Sequence, residues 1–165
     1  MNERTKEITT MQRRTLLKRA APLFALASTA TLPLAAFAAA PMVEIWKDPN
    51  CGCCQDWVKH LNKNGFATKV HDEGNTAART RLGVPAKLGS CHTGLIGGYA
   101  LEGHVPAREV QRLLKEKPKA VGLAVPGMPV GSPGMDGPAY GDQRDPYDVL
   151  LVLADGSTRV YQSYR

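Results

Sequence analysis

An α/β fold, a small mixed sheet flanked by helices, is what the central part of this chain predicts, and three observations carry that prediction. "MVEIWKD" (Met42 to Asp48) alternates apolar and polar residues, the period-two pattern of a short strand. In the segment that follows, Cys54, Trp57, Val58 and Leu61 fall at i, i+3, i+4 and i+7, which makes one apolar stripe on a helix. The alternation between the two periods then recurs, giving the order strand, helix, strand, helix, strand, strand, helix.

Each element has local support. Asn50 can cap a helix beginning near Cys51, and Gly65 in "NKNG" is a natural left-handed terminator. "FATKVHD" reads as the second strand, and "GNTAARTRLGV" as a short helix stopping near Gly83. "CHTGLIGGYALEGH" reads as two strands, Thr93 to Ile96 and Tyr99 to Leu101, joined at Gly97 and Gly98. Pro106 opens a helix through Lys117 that turns Val110, Leu113 and Leu114 inward, and Pro118 ends it. Residues 119–165 form an extension, first rich in Gly, Pro and Met, then closing as a hairpin with its turn at Asp155 and Gly156. There is no internal repeat, and too few residues follow Pro118 for a second domain. With three cysteines at the first strand-to-helix junction, this order is the thioredoxin arrangement.

The first 38 residues read differently. A basic cluster precedes an apolar stretch rich in Ala and Leu, and Ala36, Phe37 and Ala38 fit a small-x-small cleavage site. Arg13 and Arg14, followed by Thr15, Leu16, Leu17 and Lys18, resemble the twin-arginine export signal. Pro22, Ser28, Thr29 and Pro33 interrupt the apolar stretch, which disfavours a lasting membrane anchor. The expectation is a signal peptide over 1–38, a periplasmic domain over 39–165, and no stable membrane insertion after cleavage. The formal charge of the whole chain is +6. Six basic and two acidic residues lie in the leader, so the remainder carries only +2, and nothing calls for nucleic acid.

All four cysteines, Cys51, Cys53, Cys54 and Cys91, lie beyond the leader. In an oxidising compartment thiols are paired or held by a metal. Cys51 and Cys54 have the C-x-x-C spacing of thiol–disulfide chemistry, with a helix N-terminus to stabilise a thiolate. That reading makes Cys51 the attacking and Cys54 the resolving thiol of an oxidoreductase. Cys53 has no part in such a mechanism. Three thiolates on one helical turn instead converge on a small volume, and soft sulfur ligands select Cu(I) or zinc over magnesium or calcium. Cys91 falls in the loop that, in a thioredoxin arrangement, faces this turn, so it is a candidate fourth thiolate; a disulfide from Cys91 to one of the three is the alternative. Four thiolates suit a structural zinc, but the crowding of three favours a multinuclear copper–thiolate cluster.

Other soft donors stand nearby in sequence. Met128 and Met135 sit in "PGMPVGSPGMDGP", where a thioether has little core to fill. His104 lies in a loop that reaches the same end of the sheet, and it ranks above His92, which strand alternation turns away from Cys91. His60 and His71 are expected to be solvated or satisfied locally. No nucleophile elbow supports a hydrolase and no P-loop is present.

Three segments, "WKDPNCGCCQDWVKHL", "GVPAKLGSCHTGLIGGYALEGHVPAREVQRLL" and "GLAVPGMPVGSPGMDG", together resemble the bacterial periplasmic copper-resistance proteins of the CopG type. The resemblance spans the chain from about Val43 onward. It implies a thioredoxin-like fold with a copper–thiolate cluster held by Cys51, Cys53, Cys54 and Cys91. It further implies a role in copper resistance, interconversion of Cu(I) and Cu(II), and contact with other periplasmic copper-handling proteins.

Overall fold

In the computed structural model residues 39–165 are described, so the leader with its twin arginines and cleavage site lies outside the described residues. Strand β1 (Met42–Lys47) leads into helix α1 (Gly52–Lys63), and β2 (Ala67–His71) returns parallel to β1. A short helix α2 (Thr76–Arg81) follows. β3 (His92–Ile96) then pairs antiparallel with the other edge of β1, and β4 (Tyr99–Gly103) folds back on β3. Gly97 and Gly98 make that turn with φ of +55° and +85°, the left-handed pair that a two-residue hairpin of matching twist needs. Helix α3 (Ala107–Glu116) ends where Lys117 turns left-handed just before Pro118.

The extension completes the same sheet. β5 (Gly122–Val125) lies parallel to β4, β6 (Tyr147–Val152) pairs antiparallel with β5, and β7 (Thr158–Tyr164) closes the terminal hairpin. The strand order is β2-β1-β3-β4-β5-β6-β7, a mixed sheet with mostly antiparallel pairings.

Helices α1 and α3 cover one face. Trp57, Val58, Leu61, Val110 and Leu113 meet Val43, Ile45, Leu101, Leu123 and Leu151 in one buried cluster. On the opposite face Ala100, Ala124 and Val152 pack under Val84 and Leu88, as strand alternation requires.

Two expectations are corrected. The residue at the N-cap of α1 is Cys51, not Asn50, and no side chain caps the helix; the Asn50 N–H is instead taken by Asp48 Oδ1 at 2.8 Å. A missing side-chain cap costs about 1 kcal/mol, but burying Trp57 and Leu61 contributes about 1.5–3 kcal/mol each, so packing decides where α1 forms. The second correction concerns "GLAV", read from the sequence as part of the Gly-, Pro- and Met-rich extension and not as a strand. All four residues of β5 are buried, so the segment has no polar alternate positions to mark it as a strand.

Candidate metal centre

The turn between β1 and α1 delivers the cysteines. Cys51 closes the turn with its N–H on Asp48 O, and Cys53 and Cys54 occupy the first turn of α1. Lys47 anchors the approach from beneath: fully buried, its Nζ donates to Asp48 O at 3.0 Å and pairs with Asp72 Oδ1 at 2.6 Å. Cys91 arrives from the bend immediately before β3. The four sulfurs lie within 4.8 Å of one another. Cys53 Sγ is central, 3.5 Å from Cys51 Sγ and 3.8 Å from Cys91 Sγ. Cys51 and Cys54 are joined as a disulfide, while Cys53 and Cys91 are free.

The Met-bearing loop closes over this turn. Met128 Sδ is 3.9 Å from Cys53 Sγ and its side chain is half exposed. Gly134 brings the same loop against α1: a Cβ there would lie 2.6 Å from Cys53 O, and its φ is +94°. Met135 points elsewhere, its sulfur accepting a hydrogen bond from Tyr140 Oη at 3.2 Å. Of the two methionines singled out in the sequence, only Met128 meets the cysteines.

His92 is not turned away from Cys91, as alternation suggested. Cys91 precedes the strand, so the period-two rule does not reach it. His92 is fully buried, stacked between Trp57 at 4.2 Å and His104 at 5.2 Å between ring centroids. The outer hydrogen bonds assign the tautomers. His92 Nε2 faces Gly103 O at 2.8 Å; a carbonyl only accepts, so Nε2 carries the proton and the Nδ1 lone pair faces Cys91 Sγ at 3.4 Å. Ser132 Oγ donates to Pro129 O at 2.6 Å and so accepts from His104 Nδ1 at 3.1 Å. The His104 Nε2 lone pair is thereby left facing Cys91 Sγ, also at 3.4 Å. Both imidazoles thus present an unprotonated nitrogen to one sulfur, and a carbonyl and a hydroxyl fix each ring from behind, the usual support of a metal-ligating histidine.

Electrostatics agree with neutral rings. Burial pulls the pKa of His92 down to about 3, with His104 adding to the effect, and burial pulls His104 down to about 4. Burial, then the neighbouring Cys53, pushes the Cys91 thiol up to about 12. Without a cation Cys91 keeps its proton; a soft cation that displaces it would meet the Cys91 sulfur and two imidazole nitrogens, with the Met128 thioether on the far side beside Cys53. The donor set fits such an ion and offers no carboxylate to a hard one. Away from the centre, His60 Nε2 accepts the Ala107 N–H at 3.0 Å and His71 pairs with Glu44 at 2.8 Å, as expected of locally satisfied histidines. His92 and Ser132 were missed or undervalued in the sequence; the adjacency of His92 to Cys91 was the available signal, and nothing in the sequence marks Ser132.

The chain matches a family model described as a protein of unknown function, DUF411, over residues 88–135. Among solved structures, "Copper resistance protein copG- Form 1" is 48% identical with a TM-score of 0.70, covering 76% of this chain and 98% of that one. "Copper resistance protein copG- Form 2" is 47% identical with the same TM-score, covering 76% and 99%. A search of curated proteins finds no match.

Proposed function

The chain belongs to the CopG family of copper-resistance proteins, and from that premise we propose that it binds copper as cargo in the periplasm, holding Cu(I) in a multinuclear thiolate cluster. The observation that carries the reading is the convergence of four cysteine sulfurs within 4.8 Å, with the Met128 thioether beside Cys53. In this reading Cys51, Cys53, Cys54 and Cys91 are the ligands, and His104, His92 and Met128 complete the shell; Met135 contributes no donor while Tyr140 holds it. Export by the twin-arginine signal over 1–38 puts the domain in the compartment where copper is met, and among the described residues no helix is long and apolar enough to cross a membrane.

The Cys51–Cys54 disulfide makes the site redox-gated. Joined, the two sulfurs have no thiolate to give. A dithiol donor that supplies two electrons and two protons opens the bridge to two thiols and is itself oxidised to a disulfide; Cu(I) then displaces the thiol protons. Interconversion of Cu(I) and Cu(II), with one electron per ion passing to or from an external redox partner, and transfer to other copper-handling proteins, are the functions this gating would serve. Sulfur spacings of 3.5–3.8 Å also match the edge of a tetrahedral zinc–thiolate site with bonds of about 2.3 Å, so metal identity rests on stoichiometry. Anaerobic titration of the reduced protein is expected to load more than one Cu(I) per chain, and fewer in Cys91→Ser. One ion, indifferent to that change and displaced by zinc, overturns the cluster.

The same disulfide favours a second reading, a thiol–disulfide oxidoreductase working through Cys51 and Cys54. Turnover of insulin disulfides by metal-free protein, lost in Cys51→Ser but kept in Cys53→Ser, would establish it over the first.

A further inference from the structure

Arg79 and Glu102 form a buried ion pair that the cysteine chemistry does not use. Glu102 is fully buried in β4 and Arg79 is 16% exposed, with Nε donating to Glu102 Oε1 at 2.8 Å. A buried pair is a poor source of stability, because desolvating two charges offsets most of their attraction. What distinguishes this one is where its remaining hydrogen-bonding capacity goes. Glu102 Oε1 also accepts the N–H of Ser90 at 2.6 Å, and Arg79 Nη2 donates to the carbonyl of Ser90 at 2.6 Å. One ion pair therefore grips both polar ends of the residue before Cys91. Thr93 Oγ1 donates to Glu102 Oε2 at 2.7 Å, and Asn75 Nδ2 braces both Ser90 O and Thr93 Oγ1 at 3.1 Å. The Arg79 guanidinium lies so close over Gly89 that a Cβ there would meet Nη1 at 2.9 Å.

The grip continues into the Met-bearing loop. Ser90 Oγ donates to Gly127 O at 2.8 Å, one residue before Met128. The residue that Arg79 and Glu102 hold thus touches the two segments that bring Cys91 and Met128 to Cys53.

We propose that Arg79 and Glu102 are positioning residues for the metal centre: their ion pair clamps the Ser90 backbone and so sets where Cys91 Sγ and the Met128 loop stand relative to Cys53. The clamp acts by geometry, through the fork of the guanidinium, and not by its charge alone. Ligand sulfurs must be held to within about 0.5 Å for a preorganised site, and in a bend outside any strand ladder that holding falls to side chains, of which the Arg79–Glu102 pair makes the two shortest contacts to Ser90, both 2.6 Å. The inference rests on the copper reading for its consequence, but the clamp itself is a property of the metal-free chain.

The test compares wild type, Arg79→Lys, Thr93→Val and Glu102→Gln as full chains, reduced and metal-free, with circular dichroism to verify the fold. Arg79→Lys keeps the cation but loses the fork; Thr93→Val removes one anchor of Glu102; Glu102→Gln keeps the shape and one acceptor oxygen but loses the charge and the second acceptor. Two quantities are read: Cu(I) affinity by competition with a chromophoric chelator, and the iodoacetamide alkylation rate of Cys91 relative to Cys53 by peptide mass spectrometry. Arg79→Lys is expected to lower Cu(I) affinity by about 10–100-fold, the usual cost of losing an outer partner of a metal ligand, and to raise the relative rate at Cys91 severalfold. Thr93→Val shifts both in the same direction, which keeps the test open if the lysine variant does not fold, and Glu102→Gln, which leaves the guanidinium without its anion, shifts them the same way. Folded Arg79→Lys or Thr93→Val protein with wild-type values, or an affinity loss with Cys91 reactivity unmoved, overturns the clamp. If wild type takes up no copper while Cys91 reactivity still shifts, the clamp stands and the copper reading falls.

Discussion

Acidification tests the protonation state of the buried histidine pair. His92 and His104 carry folded pKa values lowered to about 3 and about 4, burial being the main cause, whereas an unfolded histidine titrates near 6.5. For a base whose folded pKa is depressed, the unfolded state binds the proton first, so stability is complete above about pH 6.5 and falls as pH drops toward the folded pKa. Each such group costs about 1.4 kcal/mol per pH unit in that window. Between pH 6.5 and 5 that amounts to about 2 kcal/mol per histidine, a large share of the 5–15 kcal/mol typical of a domain. His60, also lowered mainly by burial, adds to the loss, while Glu102, pushed up by burial, opposes it. The comparison with His92→Phe isolates one group, since Phe keeps the stack on Trp57 and has no proton to gain. Urea unfolding of the metal-free protein, disulfide intact, should give a slope from pH 6.5 to 5 that is steeper by about 1.4 kcal/mol per unit in wild type than in the variant. Equal slopes would refute a neutral His92, and with it the tautomer assignment that aims its Nδ1 at Cys91.

Two further outcomes are expected at the Met-bearing loop. Gly134→Ala puts a Cβ 2.6 Å from Cys53 O at a φ of +94°; urea unfolding should show a loss of about 1–3 kcal/mol, and Cu(I) competition a weaker site, because the loop must lift from α1. Met128→Leu should lower Cu(I) affinity severalfold in the same competition assay, whereas Met135→Leu should leave it unchanged, since the Met135 sulfur is turned to Tyr140.

The order of elements up to α3 was legible because each has its own local signal: the stripe of Trp57, Val58 and Leu61, the glycine pair at 97 and 98, and prolines at 106 and 118. β5 was not, because a strand buried on both faces between two others has no polar residues to set its period, and its Gly and Pro neighbours suggest irregular chain. At the centre, the motif spacing alone placed three cysteines on one turn. Bringing Cys91 to them depended on a tertiary expectation, and the structure supplies the distance, 3.8 Å from Cys53. Alternation misled for His92 because the residue beside it stands in a bend. The buried ion pair was invisible for another reason: Arg79 and Glu102 lie 23 positions apart, and no spacing rule links a residue in a short helix to one in a strand of the following hairpin.

The two sides of the centre differ in their access to solvent. Behind Cys91 stand two imidazoles sealed in the core, each pinned by a bond to Gly103 O or Ser132 Oγ. In front of Cys53 stands Met128, half exposed. On the proposed copper reading, an ion held here would meet an incoming donor from the Met128 side, since the histidines on the other side are closed off from solvent. The centre thus has a threshold at Met128 and a back wall at the two histidines, which on that reading would give ion exchange a direction.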